Sequence, residues 1–169
     1  MIQNLQGRAW KLGHNIDTDL IYPGRYLPLL DPSEMAAHAL EGIDPEFPGK
    51  LRQGDILVAG RNFGCGSSRE QAATCLKTAG VSCIIAGSYS RIFFRNAVNL
   101  GLPLVESGEA SDAVETGDTV MVDFRSGTVR VRDRSFTFPP LPETVLSILE
   151  EGGLIESIRK KIATGAKFR

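Results

Sequence analysis

Residues 62–70 read Asn-Phe-Gly-Cys-Gly-Ser-Ser-Arg-Glu, so Ser67, Ser68 and Arg69 stand side by side behind two glycines, Gly64 and Gly66. A guanidinium such as Arg69 can clamp a carboxylate with two parallel hydrogen bonds. The serines can cap a helix, bind the same carboxylate through their hydroxyls, or supply a reactive oxygen. An apolar run, residues 55–60, precedes the segment, and a helical stretch that stops at Gly80 follows it. A turn that leads from a strand into a helix suits an anion, because the first backbone N–H groups of a helix are unpaired and carry partial positive charge. A plainer reading is open as well: Ser68 as an N-cap with Glu70 in the first turn, and Arg69 in solvent.

Other polar groups stand apart from this segment. Asp17-Thr18-Asp19 has the start of a calcium loop without its glycine and distal glutamate, which leaves turn capping, or orientation of another group by hydrogen bonds. Arg91 and Arg95 lie four apart on a helical stretch and so share a face, where they reach a ligand or a partner or simply extend into solvent. Cys65 precedes the same helix as the serines. A thiol so placed has a lowered pKa, but no histidine pairs with it recognisably, and close packing is the simpler role. His14 and His38 are the only histidines, and neither sits in a ligand motif, so both read as structural or surface residues. Three cysteines, Cys65, Cys75 and Cys83, without C-x-x-C spacing, do not make a disulfide framework or a complete metal site. No metal is expected on this chain, and metal chemistry would have to come from another one.

At 169 residues and 42% hydrophobic content the chain fits one domain, 1–169, with a sizeable core. A net charge of −1 offers no footprint for nucleic acid or an anionic membrane. No apolar run approaches the roughly 20 residues of a membrane span, and the N-terminus lacks the order of a signal peptide. The expectation is a soluble, cytoplasmic protein.

The elements that must position these groups alternate. Strands are expected at 5–12, 55–59, 81–86 and 102–105. Helices are expected at 32–41, with Asp31 as N-cap, Pro32 in the first turn and Gly42 as stop, and at 68–79 and 90–100. Residues 15–26 are turn-rich and 44–48 form a proline-flanked loop. Strand–helix–strand succession argues an α/β fold with a largely parallel sheet. Short strands at 119–124, 128–132 and 135–138 suggest an added all-β lobe. Helices at 142–151 and 153–163 follow, with a frayed end at 165–169.

Four blocks taken together resemble one family. Asp17-x-Asp19-x-Ile21-x-Pro23-x-x-Tyr26, Phe63-Gly-Cys-Gly-Ser-Ser-Arg-Glu70, Ser88-Tyr-Ser-Arg-Ile-Phe-Phe-Arg-Asn96 and Asn99-Leu-Gly-Leu-Pro103 occur in this order. The chain is similar, over about residues 5–165, to small subunits of the 3-isopropylmalate dehydratase and homoaconitase-type hydro-lyases of the aconitase superfamily. The resemblance implies a swivelling β/β/α domain: a mixed, largely parallel sheet flanked by helices, plus short antiparallel strands. It implies a partner, a large subunit holding a four-iron four-sulfur cluster, in a heterodimer or a dimer of heterodimers, with none of the cluster bound by this chain. A docking face should then be exposed on the isolated chain.

Residue by residue, the resemblance makes Ser67 the catalytic base. As an alkoxide stabilised by turn N–H groups and the helix dipole, it removes the proton beside a substrate carboxylate. Ser68 and Arg69 contact the substrate, Asp17 and Asp19 support, and Gly64 and Gly66 shape the turn. The implied reaction is trans elimination of water from a hydroxy-dicarboxylate, followed by readdition. One stretch departs from the pattern. Where isopropylmalate isomerases of this compact type carry arginine and threonine after Tyr26-Leu27, and homoaconitases apolar and tyrosine residues, this chain has Pro28-Leu29-Leu30. That loop meets the substituent on the malate: Pro28 removes a positive charge and a backbone donor, and Leu29 and Leu30 either widen an apolar pocket, which together with Pro28 favours an alkyl over a carboxylate-bearing group, or simply pack the following helix. Isopropylmalate stands first, with 2,3-dimethylmalate, citramalate and homoaconitate as alternatives. A stand-alone anion-binding module is the non-enzymatic reading.

Overall fold

A computed structural model describes residues 4–165. Fifteen elements follow in chain order. They are β1 (Asn4–Lys11), α1 (Thr18–Ile21), α2 (Pro32–Ala36), α3 (Phe47–Lys50), β2 (Ile56–Ala59), α4 (Gln71–Thr78), β3 (Cys83–Ala86), α5 (Arg91–Asn99), β4 (Leu104–Glu106) and α6 (Gly108–Ala113). Then come β5 (Thr119–Asp123), β6 (Thr128–Val131), β7 (Arg134–Thr137), α7 (Glu143–Glu150) and α8 (Leu154–Ala163). A short 3-10 turn spans Gly24–Tyr26.

All seven strands form one mixed sheet in the order β4-β3-β2-β1-β5-β6-β7. The pairs β1–β2, β2–β3 and β3–β4 are parallel, whereas β1–β5, β5–β6 and β6–β7 are antiparallel. The patterns explain the split. Ile56-Leu-Val-Ala and Cys83-Ile-Ile-Ala are apolar throughout and buried on both faces, as parallel strands covered by helices must be. In β5, Val120 and Val122 point inward while Thr119 and Met121 face out, which suits an antiparallel strand with one wet face.

Alternation sends Leu57, Ala59, Ile84 and Ala86 into a core shared with Ile21, Tyr22, Leu76 and Phe93. Ile56, Val58, Cys83 and Ile85 enter a second core with Val120, Val122, Val129 and Phe136. Because β2 and β3 share that second core with β5–β7, the sheet curls until its two halves face one another. The expected all-β lobe is therefore not a separate lobe: β5–β7 extend the same sheet across β1.

Boundaries differ where tertiary contacts override local pattern. The helix expected to run to residue 41 ends at Ala36. Leu40 adopts φ 62° and donates its N–H to the Ile21 carbonyl at 2.7 Å, which pulls residues 37–43 into turns over α1. Gly42 is needed for close approach, since a Cβ there would lie 2.5 Å from the Asp19 carbonyl oxygen. One helical turn, α3, occupies part of the expected 44–48 loop and runs past it. Helix α6 went unforeseen; Ser107 caps it by accepting from the Ala110 N–H at 3.3 Å. Of the end expected to fray, 166–169 lie outside the described residues.

Candidate active site

The turn after β2 is held between two other strand-ends. Phe63 anchors it, fully buried and edge-on to the Phe93 ring at 5.1 Å. Its N–H donates to Ser88 O at 3.0 Å and its carbonyl accepts from Ser90 N at 2.9 Å. On the other side, Gly64 N–H donates to Ile16 O at 2.8 Å and Thr18 N–H donates to Cys65 O at 2.9 Å. The turn thus runs parallel to residues 16–18, which follow β1, and to residues 88–90, which precede α5. Glycine is required for this. Gly64 has φ 77°, and a Cβ there would sit 2.2 Å from the Phe93 ring. Gly66 has φ 96°, with Thr18 Oγ1 3.2 Å from where a Cβ would stand.

Ser67 emerges at an exposed rim, and Thr18 lies beside it, 2% exposed. Thr18 Oγ1 accepts from the Ser67 N–H at 3.1 Å and sits 3.0 Å from Ser67 Oγ. A hydroxyl that accepts from the N–H has its own proton free for the serine oxygen. The expected stabilisers of a serine anion are therefore placed differently: the Ser67 N–H is committed to Thr18, and α4 begins only at Gln71. Thr18 is the residue that sequence reasoning overlooked, although it lies between the two aspartates singled out there.

Neither serine caps α4. The helix takes Glu70 as its N-cap residue, with no side-chain cap bond. Ser68 is exposed, and its carbonyl accepts from Asn96 Nδ2 at 3.3 Å. Arg69 is not a freely solvated residue: its side chain is 20% exposed and pairs with Asp19. The same Nη1 donates to the Tyr22 carbonyl at 3.3 Å. The hydrogen bond from Arg69 holds the Asp19 carboxyl below the usual carboxylate range. Asp17 caps α1, accepting from Leu20 N at 2.9 Å. The structure thus brings Asp17, Thr18, Asp19, Ser67 and Arg69 to one corner, at the carboxyl ends of β1 and β2.

The 27–30 stretch adjoins that corner through Gly24, where a Cβ would lie 3.4 Å from Arg69 Nη2. Its apolar residues divide. Leu29 packs against the helix-side core, Pro28 is exposed, and Leu30 is 88% exposed. Arg91 and Arg95 do not join the corner. They line a groove of about 510 Å³ with Phe94, Glu106, Val145 and Ile148, between α5 and α7. His14 Nδ1 accepts from the Arg61 N–H at 2.9 Å, and His38 contacts Glu41.

The donor set does not fit an iron–sulfur cluster. Cys75 and Cys83 are fully buried on α4 and β3, and burial pushes both thiols far up, away from the thiolate a metal needs. Cys65 sits in the turn, and among the described residues no three His, Cys, Asp or Glu side chains converge as a metal site requires. No helix among them is long and apolar enough to cross a membrane.

A curled mixed sheet whose parallel half presents a Gly-Ser-Ser-Arg turn defines the swivelling-domain class. The aconitase C-terminal domain matches residues 16–108. A 3-isopropylmalate dehydratase small subunit of Methanopyrus kandleri is 53% identical over 93% of this chain and 94% of its own length. Another, from Caldanaerobacter subterraneus, is 51% identical over 94% and 99%. The crystal structure of a 3-isopropylmalate dehydratase chain from Methanocaldococcus jannaschii superposes with a TM-score of 0.89 at 40% identity, covering 96% of this chain and 98% of that one. The chain belongs to the aconitase C-terminal domain family, among the 3-isopropylmalate dehydratase small subunits.

Proposed function

We propose that this chain is the small subunit of a hydro-lyase that dehydrates and rehydrates a substituted malate, 3-isopropylmalate first among them, in the cytoplasm. It acts as one swivelling domain that closes over a large subunit, in a heterodimer or a dimer of heterodimers. Any iron–sulfur cluster belongs to that partner, a reading supported by the lack of a converging ligand set among the described residues. The observation that carries the reading is the corner itself: a serine at an exposed rim, hydrogen-bonded to a buried threonine, beside an arginine held by an aspartate.

Each residue of the corner has a task. Ser67 Oγ takes the proton from the carbon next to a substrate carboxylate. A free serine is far too weak an acid to be an alkoxide, so its anion must be stabilised. The Thr18 hydroxyl donates to it, and the Arg69 charge lies two residues away along the same turn. Arg69, fixed by Asp19 and the Tyr22 carbonyl, presents its free nitrogen edge to the carboxylate. Ser68 adds a hydroxyl to substrate oxygen. Asp17 and Asp19 support, Gly64 and Gly66 let the turn lie against its neighbours, and Pro28 and Leu29 meet the alkyl group.

The test is reconstitution with a cluster-loaded large subunit under anaerobic conditions. Enoate absorbance would be followed on isopropylmalate, 2,3-dimethylmalate, citramalate and homocitrate. Turnover needs both chains, and Ser67→Ala lowers kcat by about 10²–10⁴-fold while substrate affinity stays within a few-fold. Substrate binding by this chain alone, with no turnover in the complex, favours an anion-binding module instead.

A further inference from the structure

Glu41 gathers three donors onto one carboxylate. Oε1 accepts from Tyr26 Oη at 2.6 Å and from Arg25 Nη2 at 2.7 Å, and Oε2 lies 2.5 Å from His38 Nδ1. The side chain is only 15% exposed. The His38 ring stacks on Tyr26 with centroids 3.5 Å apart and planes 13° from parallel, and the Arg25 guanidinium lies 4.8 Å from the centroid of the same Tyr26 ring. Tyr26 is thereby fixed both by its hydroxyl and by its ring.

Two bonds lead on from Tyr26. Its carbonyl accepts from the Tyr22 hydroxyl at 2.7 Å and from the Leu29 N–H at 3.0 Å. Tyr22 in turn offers its carbonyl to Arg69 at 3.3 Å. Two residues, Tyr26 and Tyr22, therefore link the segment bearing Pro28 and Leu29 to the guanidinium that would hold the substrate carboxylate. Glu41 itself lies on neither; it comes from the turns after α2.

We infer that Glu41 is a positioning residue for substrate choice: by locking Tyr26 it sets where Pro28 and Leu29 stand relative to Arg69, without touching substrate. This rests on the proposed function. A carboxylate that merely added stability would, when lost, lower turnover on every malate by a common factor. One that sets a distance between two contact points alters the ranking of malates that differ only in the alkyl group.

The experiment compares kcat/KM of the reconstituted complex on isopropylmalate and citramalate. The variants are Glu41→Gln, Tyr26→Phe, and Lys50→Ala as a control whose ion pair lies elsewhere. Hydrogen bonds to a charged group are strong enough that Glu41→Gln should change the ratio of the two kcat/KM values by about tenfold. Tyr26→Phe, which keeps the ring but loses the bond to Glu41, should move the ratio in the same direction by a smaller factor. Lys50→Ala should leave it alone. Should Glu41→Gln not fold, Tyr26→Phe decides on the same ratio. A ratio within about twofold of the unaltered complex, with both substrates slowed equally, overturns the inference and leaves the functional reading standing. Absence of turnover by the unaltered complex on every malate overturns the functional reading and the inference with it.

Discussion

On the proposed mechanism, Thr18 is the residue that holds the serine anion at this corner. It is buried, it accepts from the backbone of Ser67, and its hydroxyl lies 3.0 Å from Ser67 Oγ, within reach to donate its proton there. Thr18→Val keeps the shape and removes the hydroxyl. It should lower kcat of the reconstituted complex by about tenfold, the scale of a hydrogen bond to a charged oxygen, and Thr18→Ser should restore most of it. Steady-state rates on one malate check both; equal rates for Val and Ser would sink the role. The turn at 67–69 was legible because its serines and arginine are contiguous and follow an apolar strand. Thr18 was not, because its partner lies 49 positions along the chain and no local pattern records such a pairing.

The elements around the site are held by exact backbone shapes and by charge. Gly64→Ala forces a side chain into the left-handed region at φ 77° and into the Phe93 ring. The backbone strain alone costs about 1–3 kcal/mol, so the urea midpoint should fall clearly, and an unchanged midpoint would show that the turn can relax. The turns after α2 depend on pH. Partial burial raises the Glu41 carboxyl, but the donors Tyr26, His38 and Arg25 outweigh it and bring the pKa from 4.5 to about 2. A folded value below the unfolded one stabilises fully above pH 4.5 and is lost as pH falls toward 2. Urea midpoints taken between pH 5 and pH 2.5 should therefore converge for the native chain and Glu41→Gln. Strands β2 and β3 could be read from uninterrupted apolar runs, and the tail helices α7 and α8 fall within the expected 142–151 and 153–163. The end of α2 could not, because Leu40 turns to satisfy a carbonyl on α1 rather than any preference of its own.

At the scale of the whole molecule, the mixed α/β class was visible in the alternation of strands and helices. The position of β5–β7 was not: three short alternating strands look the same whether they form a lobe or complete a sheet. Only the β1–β5 pairing, from Asn4 against Asp123 to Arg8 against Thr119, distinguishes the two. Since Ser67 lies on a rim and the proposed reaction is shared between two chains, an inactive copy should still dock. Ser67→Ala chain added in excess to the native small subunit should inhibit turnover in proportion to its share, as read from initial rates. No inhibition at a large excess would argue against a common docking surface.

The same β1–β5 pairing has a consequence for synthesis. As the chain leaves the ribosome, β1 emerges first and finds β2 within fifty residues or so, but its other edge waits for Val120 and Val122, over a hundred positions later. Until then a row of unpaired N–H and C=O groups lies open, and half of the second core has no cover. Closing so long a loop late is slow and leaves the nascent chain prone to aggregation. Fragments ending before Thr119 should therefore recruit chaperones, and the final β segment should release them.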